Sequence, residues 1–233
     1  MTHDARIHLA RTYRDATACF RSPVCTAAAG THTRRVVGVA RVRPGRADTG
    51  GATAGARRFV FLFDDSIRFR PESFAVCARS VIEEKGVPAC PEGSRVGRGT
   101  SHVYPEGPAE VLAFNTRYAN GTRGALVVIP ASRTVLELTW ERVTRPYQQL
   151  GYLWAPDEIL PPSPIPPQER AGTRRFELEW GATRQAGGRP VSFAETSAKP
   201  GEEVRIGLWS SFVTGQVVLP QTTVVVSPSG ERP

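Results

Sequence analysis

From Phe59 to the end of the chain, short alternating apolar segments are broken by Gly, Pro or Asn about every ten residues, the rhythm of an all-β sandwich or barrel. Phe59, Phe61 and Phe63 fall on one face of a first strand, and Ile67 and Phe69 resume the pattern after Asp64-Asp65-Ser66. Leu136, Leu138 and Trp140 share a face, with Val135, Glu137 and Thr139 opposite. Phe176, Leu178 and Trp180 point away from Arg175, Glu177 and Glu179, the signature of a strand with one solvated face. Val204, Ile206 and Leu208 repeat it after Lys199-Pro200-Gly201-Glu202, whose Pro and Gly have type II turn chemistry. Residues 125–129 are apolar on both faces, which predicts a central strand; Asn120-Gly121 before them predicts a two-residue hairpin turn. Residues 222–226 predict a last strand.

One helix is expected inside this β body. Ser73 can cap it, Phe74, Cys77, Val81 and Ile82 recur at helical spacing, and Gly86 can close it. The segment 146–167 carries seven Pro in 22 residues and reads as extended or turn-like. The expected fold is thus an Ig-like antiparallel β-sandwich spanning residues 59–233, with one short helix.

Residues 1–58 are a different kind of chain. They hold eleven Arg against Asp4, Asp15 and Asp48, so they carry the whole net charge of +8, and the remaining 175 residues are neutral. Apart from a strand-like stretch at 36–42 and a short amphipathic one near Ile7, they lack sustained periodicity, and 44–56 contains no large apolar side chain. Such a segment buries too little apolar surface to offset its ordering entropy, so 1–58 reads as a basic arm without a fixed fold. Binding to nucleic acid would put those Arg on phosphates. The arm offers only Tyr13 and Phe20 for stacking and no motif of recognised spacing, which argues against that partner. Of the 30 basic residues only Lys85 and Lys199 are Lys, a bias read as the codon usage of a high-GC genome.

No run approaches the ~18 apolar residues of a membrane span, and the tract 27–29 has the small residues of an export cleavage site without an apolar core before it. The Cys77 and Cys90 pair, with twelve residues between, brackets the expected helix and precedes the turn Pro91-Glu92-Gly93-Ser94. As a disulfide it would close a loop worth roughly 3 kcal/mol and imply an oxidising compartment. Two buried free thiols and, less favoured, a metal site are the other readings; Cys19 and Cys25 have the wrong spacing for metal.

Catalytic signals are sparse. The body holds one histidine, His102, and no nucleophile elbow or zinc-protease motif, and nothing in it asks for a cofactor. Asp64-Asp65 and Asp157-Glu158 read as solvated loop charges, with a weak Ca²⁺ site as the lesser reading. Residues 93–100 (GSRVGRGT) lack the Lys-Ser/Thr ending of a phosphate loop and read as a Gly-rich connection to a strand at 102–104. Pro161, Pro164 and Pro167 read as a stiff crossover rather than a polyproline ligand, and Asn120-Gly121-Thr122 as a turn rather than a glycosylation site.

The stretch from Ile67 to Gly99 resembles a group of uncharacterised exported β-sandwich proteins of high-GC actinobacteria. The residues that carry the likeness are F-x-x-C at Phe74 to Cys77, a short helical loop, and C-P-x-G-S-x-V-G-x-G at Cys90 to Gly99. The resemblance implies a secreted or surface sandwich with a Cys77–Cys90 disulfide and no assigned activity. This chain departs from the group in having no clear export signal and no further Cys after Cys90. The expected function is a non-enzymatic, exported module with a structural or binding role, its partner a protein or a cell-envelope polymer. The alternative is a carboxylate-dependent hydrolase using Glu110, Glu137 and Glu141 at strand ends.

Overall fold

The computed structural model describes residues 3–5, 7–12, 56–103, 107–145, 147–159, 173–212, 215–219 and 221–226. The strands are β1 (His3–Ala5), β2 (Ile7–Thr12), β3 (Ala56–Asp64), β4 (Ile67–Phe69), β5 (Arg95–Val103), β6 (Gly107–Arg117), β7 (Arg123–Ile129) and β8 (Thr134–Arg142). They continue with β9 (Tyr152–Ile159), β10 (Thr173–Trp180), β11 (Thr183–Ala186), β12 (Arg189–Ser192), β13 (Ala194–Thr196), β14 (Glu203–Phe212), β15 (Val217–Val218) and β16 (Gln221–Val225). One α-helix, α1 (Arg79–Lys85), interrupts them among the described residues. The chain is all-β, as its rhythm predicts.

One antiparallel sheet runs in the order β15-β14-β3-β9-β8-β7-β6-β5-β10-β2, with β16 beside β15 on the same edge of β14. Strands β5 to β9 form a simple meander at its centre. A second sheet, β1-β13-β4, and the hairpin β11-β12 complete the set. The large sheet is strongly curled. Trp180 on β10 and Trp140 on β8 are four strands apart in the sheet order, which would place them roughly 19 Å apart on a flat sheet. Their ring centroids are 5.3 Å apart. The curl brings both faces of a sandwich-like core from one sheet, an arrangement compatible with the expected sandwich.

The concave face holds the main core. Phe61, Phe63, Val111, Ala113, Ala125, Val127, Leu138, Trp140, Leu178 and Trp180 line it, and Phe69 of the small sheet plugs it together with Phe193, which immediately precedes β13. Phe69 packs 4.3 Å from Trp140 and 5.1 Å from Phe63, and Phe193 stacks on Trp180 at 5.9 Å. Burying an aromatic such as Trp180, 1% exposed, contributes roughly 4–6 kcal/mol of transfer free energy. The pairings read from the sequence hold: Phe59, Phe61 and Phe63 are all buried, Leu136, Leu138 and Trp140 pack inward together, and β7 is buried on both faces at the sheet centre. Lys199 to Glu202 makes the expected turn, with the Glu202 N–H donating to Lys199 O at 3.0 Å and Gly201 at φ +86°.

The convex face carries two smaller clusters. Leu112, Phe114, Leu126 and Val128 are covered by Cys77, Ile82, Val81, Val87 and Cys90. Further along, Leu62, Val143, Tyr152 and Ala155 pack with Tyr147 and Trp209.

Several expectations are corrected. The helix is shorter than read: it starts after Ala78, not Ser73, although Gly86 closes it with its N–H donating to Ile82 O. The cause is the buried Asn115, whose Nδ2 donates to Pro71 O, Phe74 O and Ala75 O at 2.9, 3.0 and 3.1 Å. The Cys77 N–H donates to Asn115 O, and Thr116 Oγ1 donates to Cys77 O at 2.8 Å. Residues 74–77 are thereby drawn across the sheet rim, Phe74 entering the concave core and Cys77 the convex cluster. The 93–100 stretch is not a connection, because β5 begins at Arg95. Gly97 is needed there: a Cβ on it would come within 2.7 Å of Glu179 O and 3.4 Å of the Trp180 ring. The Asn120-Gly121 hairpin uses positive φ at Gly121 alone, and Asn120 instead accepts the Thr122 N–H on its side chain. Pro156, in the Pro-rich stretch, sits inside β9, where the β3–β9 ladder skips Phe61 and Leu62 and then shifts register between Phe63 and Asp64.

The acidic pairs are corrected as well. Asp157 and Glu158 are strand residues of β9, 7% and 6% exposed, and Asp157 pairs with Arg58 through two hydrogen bonds. That pairing holds the Arg58 guanidinium more firmly protonated than usual. Asp64 is 9% exposed, at the end of β3. The strands begin at His3, within the stretch read as the arm: β1 pairs with β13 and β2 with β10. The strand-like 36–42, Cys19, Cys25 and the crossover at Pro161 to Pro167 lie outside the described residues.

Candidate functional site

A cleft of about 490 Å³ opens at the sheet rim, where the β3–β4 turn, the residue before β9, the Ser197–Glu203 stretch and Arg205 of β14 meet. Asp64 organises it. Its Oδ1 accepts the Ser66 N–H and its Oδ2 the Arg205 N–H, each at 3.0 Å, so the carboxylate ties the turn to β14. Asp65 N–H donates to Gly151 O at 2.9 Å, and Ser197 N–H to Ser66 O at 3.0 Å. Ser66 Oγ and Thr196 Oγ1 share a hydrogen bond of 3.2 Å, and the Ala198 N–H donates to Thr196 Oγ1.

Arg205 extends along the wall and donates from Nη1 to Leu150 O at 3.1 Å. Gly151, at φ +82°, leaves room for it, because a Cβ there would lie 2.6 Å from that Nη1. Glu202 accepts the Lys199 N–H at 2.6 Å, which pins the far lip. Beneath the cleft, burial pushes the Tyr152 phenol up, an effect Arg205 opposes and Asp64 reinforces. Four carboxylates, those of Asp64, Asp65, Glu202 and Glu203, face one guanidinium. The cleft is therefore net acidic in a neutral body, with walls fixed by main-chain hydrogen bonds.

Asp64 has both oxygens committed to backbone donors, so it serves the cleft as an anchor between the turn and β14. Among the described residues no group of three or more His, Cys, Asp and Glu is placed to hold a metal ion.

Of the residues singled out in the sequence, Asp64 and Asp65 line the cleft and the others lie elsewhere. Cys77 and Cys90 are bonded, with Cα atoms 5.3 Å apart, on the convex face. Cys77 is fully buried and Cys90 half-buried. Glu110 on β6 is exposed; Glu137 and Glu141 on β8 are exposed too, the first within 3.5 Å of Arg79 Nη1 and the second accepting from Thr139 Oγ1 at 2.8 Å. None of the three lines the cleft. The His102 side chain lies outside the described residues. Arg205 is the position that sequence reading missed, and Asp64, read as a solvated loop charge, is a buried anchor. The one available signal was the pair of turn motifs, Asp64-Asp65-Ser66 and Lys199-Pro200-Gly201-Glu202, which the fold places side by side.

The chain matches no protein family, no curated protein and no solved structure. No helix among the described residues is long and apolar enough to cross a membrane.

Proposed function

We propose that this chain is an exported, non-enzymatic binding module of the Ig-like sandwich type, displayed at or beyond the cell surface. The observation that carries the proposal is the Cys77–Cys90 bond, which closes the loop containing α1 over the convex apolar cluster. A structural disulfide of this kind persists where the redox poise is oxidising. The rim cleft supports the binding half of the reading. Its walls are already set by hydrogen bonds, so a ligand would be bound with little ordering cost. Its excess of carboxylates selects amines or guanidinium groups, as found on a basic protein segment or an amine-bearing envelope polymer.

Mass mapping of the protein from its native host, with free thiols alkylated before lysis, tests the first half. The expected result is an intact Cys77–Cys90 linkage in the envelope or culture fraction; free Cys77 and Cys90 in a cytosolic fraction would refute export. For the second half, envelope material should be retained by the intact chain and released by salt, with retention reduced in Glu202→Gln/Glu203→Gln. Equal retention by that variant would remove the cleft from the function.

A further inference from the structure

The N-terminal strands occupy two sheet edges that the rest of the domain leaves open. β2 pairs six residues with β10, from Ile7 opposite Trp180 to Thr12 opposite Arg175, with Leu9 opposite Leu178. β1 pairs three with β13, His3 opposite Thr196 to Ala5 opposite Ala194. Residues 3–5 and 7–12 thus complete the small plugging sheet and the large curled sheet respectively. Without it, β10 and β13 would present bare main-chain edges beside side chains that are almost wholly buried. Leu178 and Trp180 are each 1% exposed, Ala194 0% and Thr196 1%. An edge of that kind accepts a strand from any chain that can supply the right register.

The connection does not fix which chain supplies it. Thr12 ends β2 and Ala56 begins β3, and the 43 residues between them lie outside the described residues. At full extension 43 residues reach about 140–155 Å, whereas a domain of this size is roughly 40 Å across. Covalent reach therefore does not restrict residues 3–12 to their own domain. The contacts made by the strand are identical whether it comes from the same chain or another, so only the effective concentration of the tethered strand favours the former. Tethering raises such a concentration to the order of 1 mM at most, so a second copy competes as the chain concentration approaches that level.

We propose that residues 3–12 are an exchangeable donor strand, and that the open edge of β10 and β13 is a docking surface for the same strand of a second copy of this chain. Reciprocal exchange gives a closed two-fold dimer in which each domain keeps every strand pair of the monomer. Where copies are crowded, exchange links neighbouring domains without any new interface.

Paired cysteines test this on the full chain, with Cys19 and Cys25 changed to Ser and Cys77–Cys90 kept. His8 and Glu179 are opposite in the ladder, a placement that suits a disulfide once both are Cys. A chain carrying both His8→Cys and Glu179→Cys should close on itself in dilute solution under mild oxidation. Two chains carrying one substitution each, refolded together, should form a covalent dimer whose initial yield rises about tenfold for a tenfold rise in concentration. A synthetic peptide of residues 1–14 should suppress that dimer, and a scrambled one should not. Three results would overturn the proposal: no intrachain bond in the double variant, no mixed dimer up to about 1 mM while the double variant closes, or equal suppression by the scrambled peptide. The last would make the edge a general strand acceptor. Should the cysteine variants not fold, unmodified ¹⁴N and ¹⁵N chains co-refolded at high concentration serve instead. Mass-mixed dimers that survive dilution for longer than a simple surface contact are expected, and monomers alone would refute exchange.

Discussion

Replacing Asn115 with Asp tests whether one buried amide sets the path of residues 71–77. Asn115 is fully buried, and its amide is the donor to three carbonyl oxygens. Pro71 O would keep Arg123 Nη1, 3.1 Å away, as a donor, but Phe74 O and Ala75 O have Asn115 as their side-chain partner. Asn115→Asp preserves shape while turning the donor into an acceptor. Two carbonyls lose a partner at about 1–3 kcal/mol each, and a buried carboxylate is set against their oxygen atoms. The expected loss at pH 7 is about 3–5 kcal/mol, a fall in Tm of roughly 6–20 °C for a domain this long. The variant also acquires a pH dependence of defined sign. The buried carboxyl is better tolerated protonated, because the neutral acid can donate one hydrogen bond, so its folded-state pKa is raised above the unfolded value. The deficit is therefore smallest below the ordinary Asp range and grows as pH rises through the raised pKa. Urea unfolding of both proteins at pH 4 and pH 7 measures this, with hydrogen exchange over 71–90 as a local readout. A variant within 1 kcal/mol of the parent at pH 7, or a gap that does not narrow at pH 4, would refute the role assigned to Asn115.

Three further outcomes are expected. Gly124→Ala should cost about 2–4 kcal/mol in chemical denaturation, because its Cβ would come within 2.2 Å of Leu138 O and 2.5 Å of the Tyr118 ring; a loss under 0.5 kcal/mol would contradict that packing. Cys77→Ala/Cys90→Ala should lose roughly 3 kcal/mol and raise binding of a hydrophobic dye as α1 loosens from Leu112, Phe114 and Val128, whereas unchanged dye binding would mean that the loop holds without its bond. Burial raises the Tyr118 phenol, whose O–H donates to Leu138 O at 3.1 Å, so the native state keeps a proton that the unfolded chain gives up. Stability should fall as pH climbs past about 10, and less steeply in Tyr118→Phe; identical alkaline slopes would refute this.

The fold was legible wherever period alone decides. Leu138 and Trp140, and Leu178 and Trp180, alternate with polar residues, Phe61 and Phe63 repeat at the same period of two, and each pair lies in the concave core. Period failed at Gly97 and Gly99, which read as a loop because glycine is poor in strands. What makes them a strand is Trp180 lying across Gly97, a contact between segments more than eighty residues apart that no local window contains. The helix start failed for a related reason. Phe74, Cys77 and Ile82 do recur at helical spacing, but Phe74 and Cys77 serve opposite faces of the sheet, and a side chain forty residues away holds the segment extended.

The same reasoning explains why the cleft escaped notice while the disulfide did not. Cys77 and Cys90 lie 13 residues apart, so their pairing depends on local chain geometry. Asp64 and Arg205 are 141 residues apart and meet only because β14 lies beside β3. As adjacent letters, Asp64-Asp65 and Asp157-Glu158 look like two charges on a loop, since burying two neighbouring carboxylates without partners would cost too much. The fold meets that cost separately for Asp64 and Asp157: Asp64 by backbone donors from two elements, Asp157 by Arg58 on the neighbouring strand. Burial of an acidic residue is thus set by which strand arrives next to it. A sequence that specifies its core by alternation places its polar groups only through the strand order, and here that order is what turns two turn motifs into one acidic cleft.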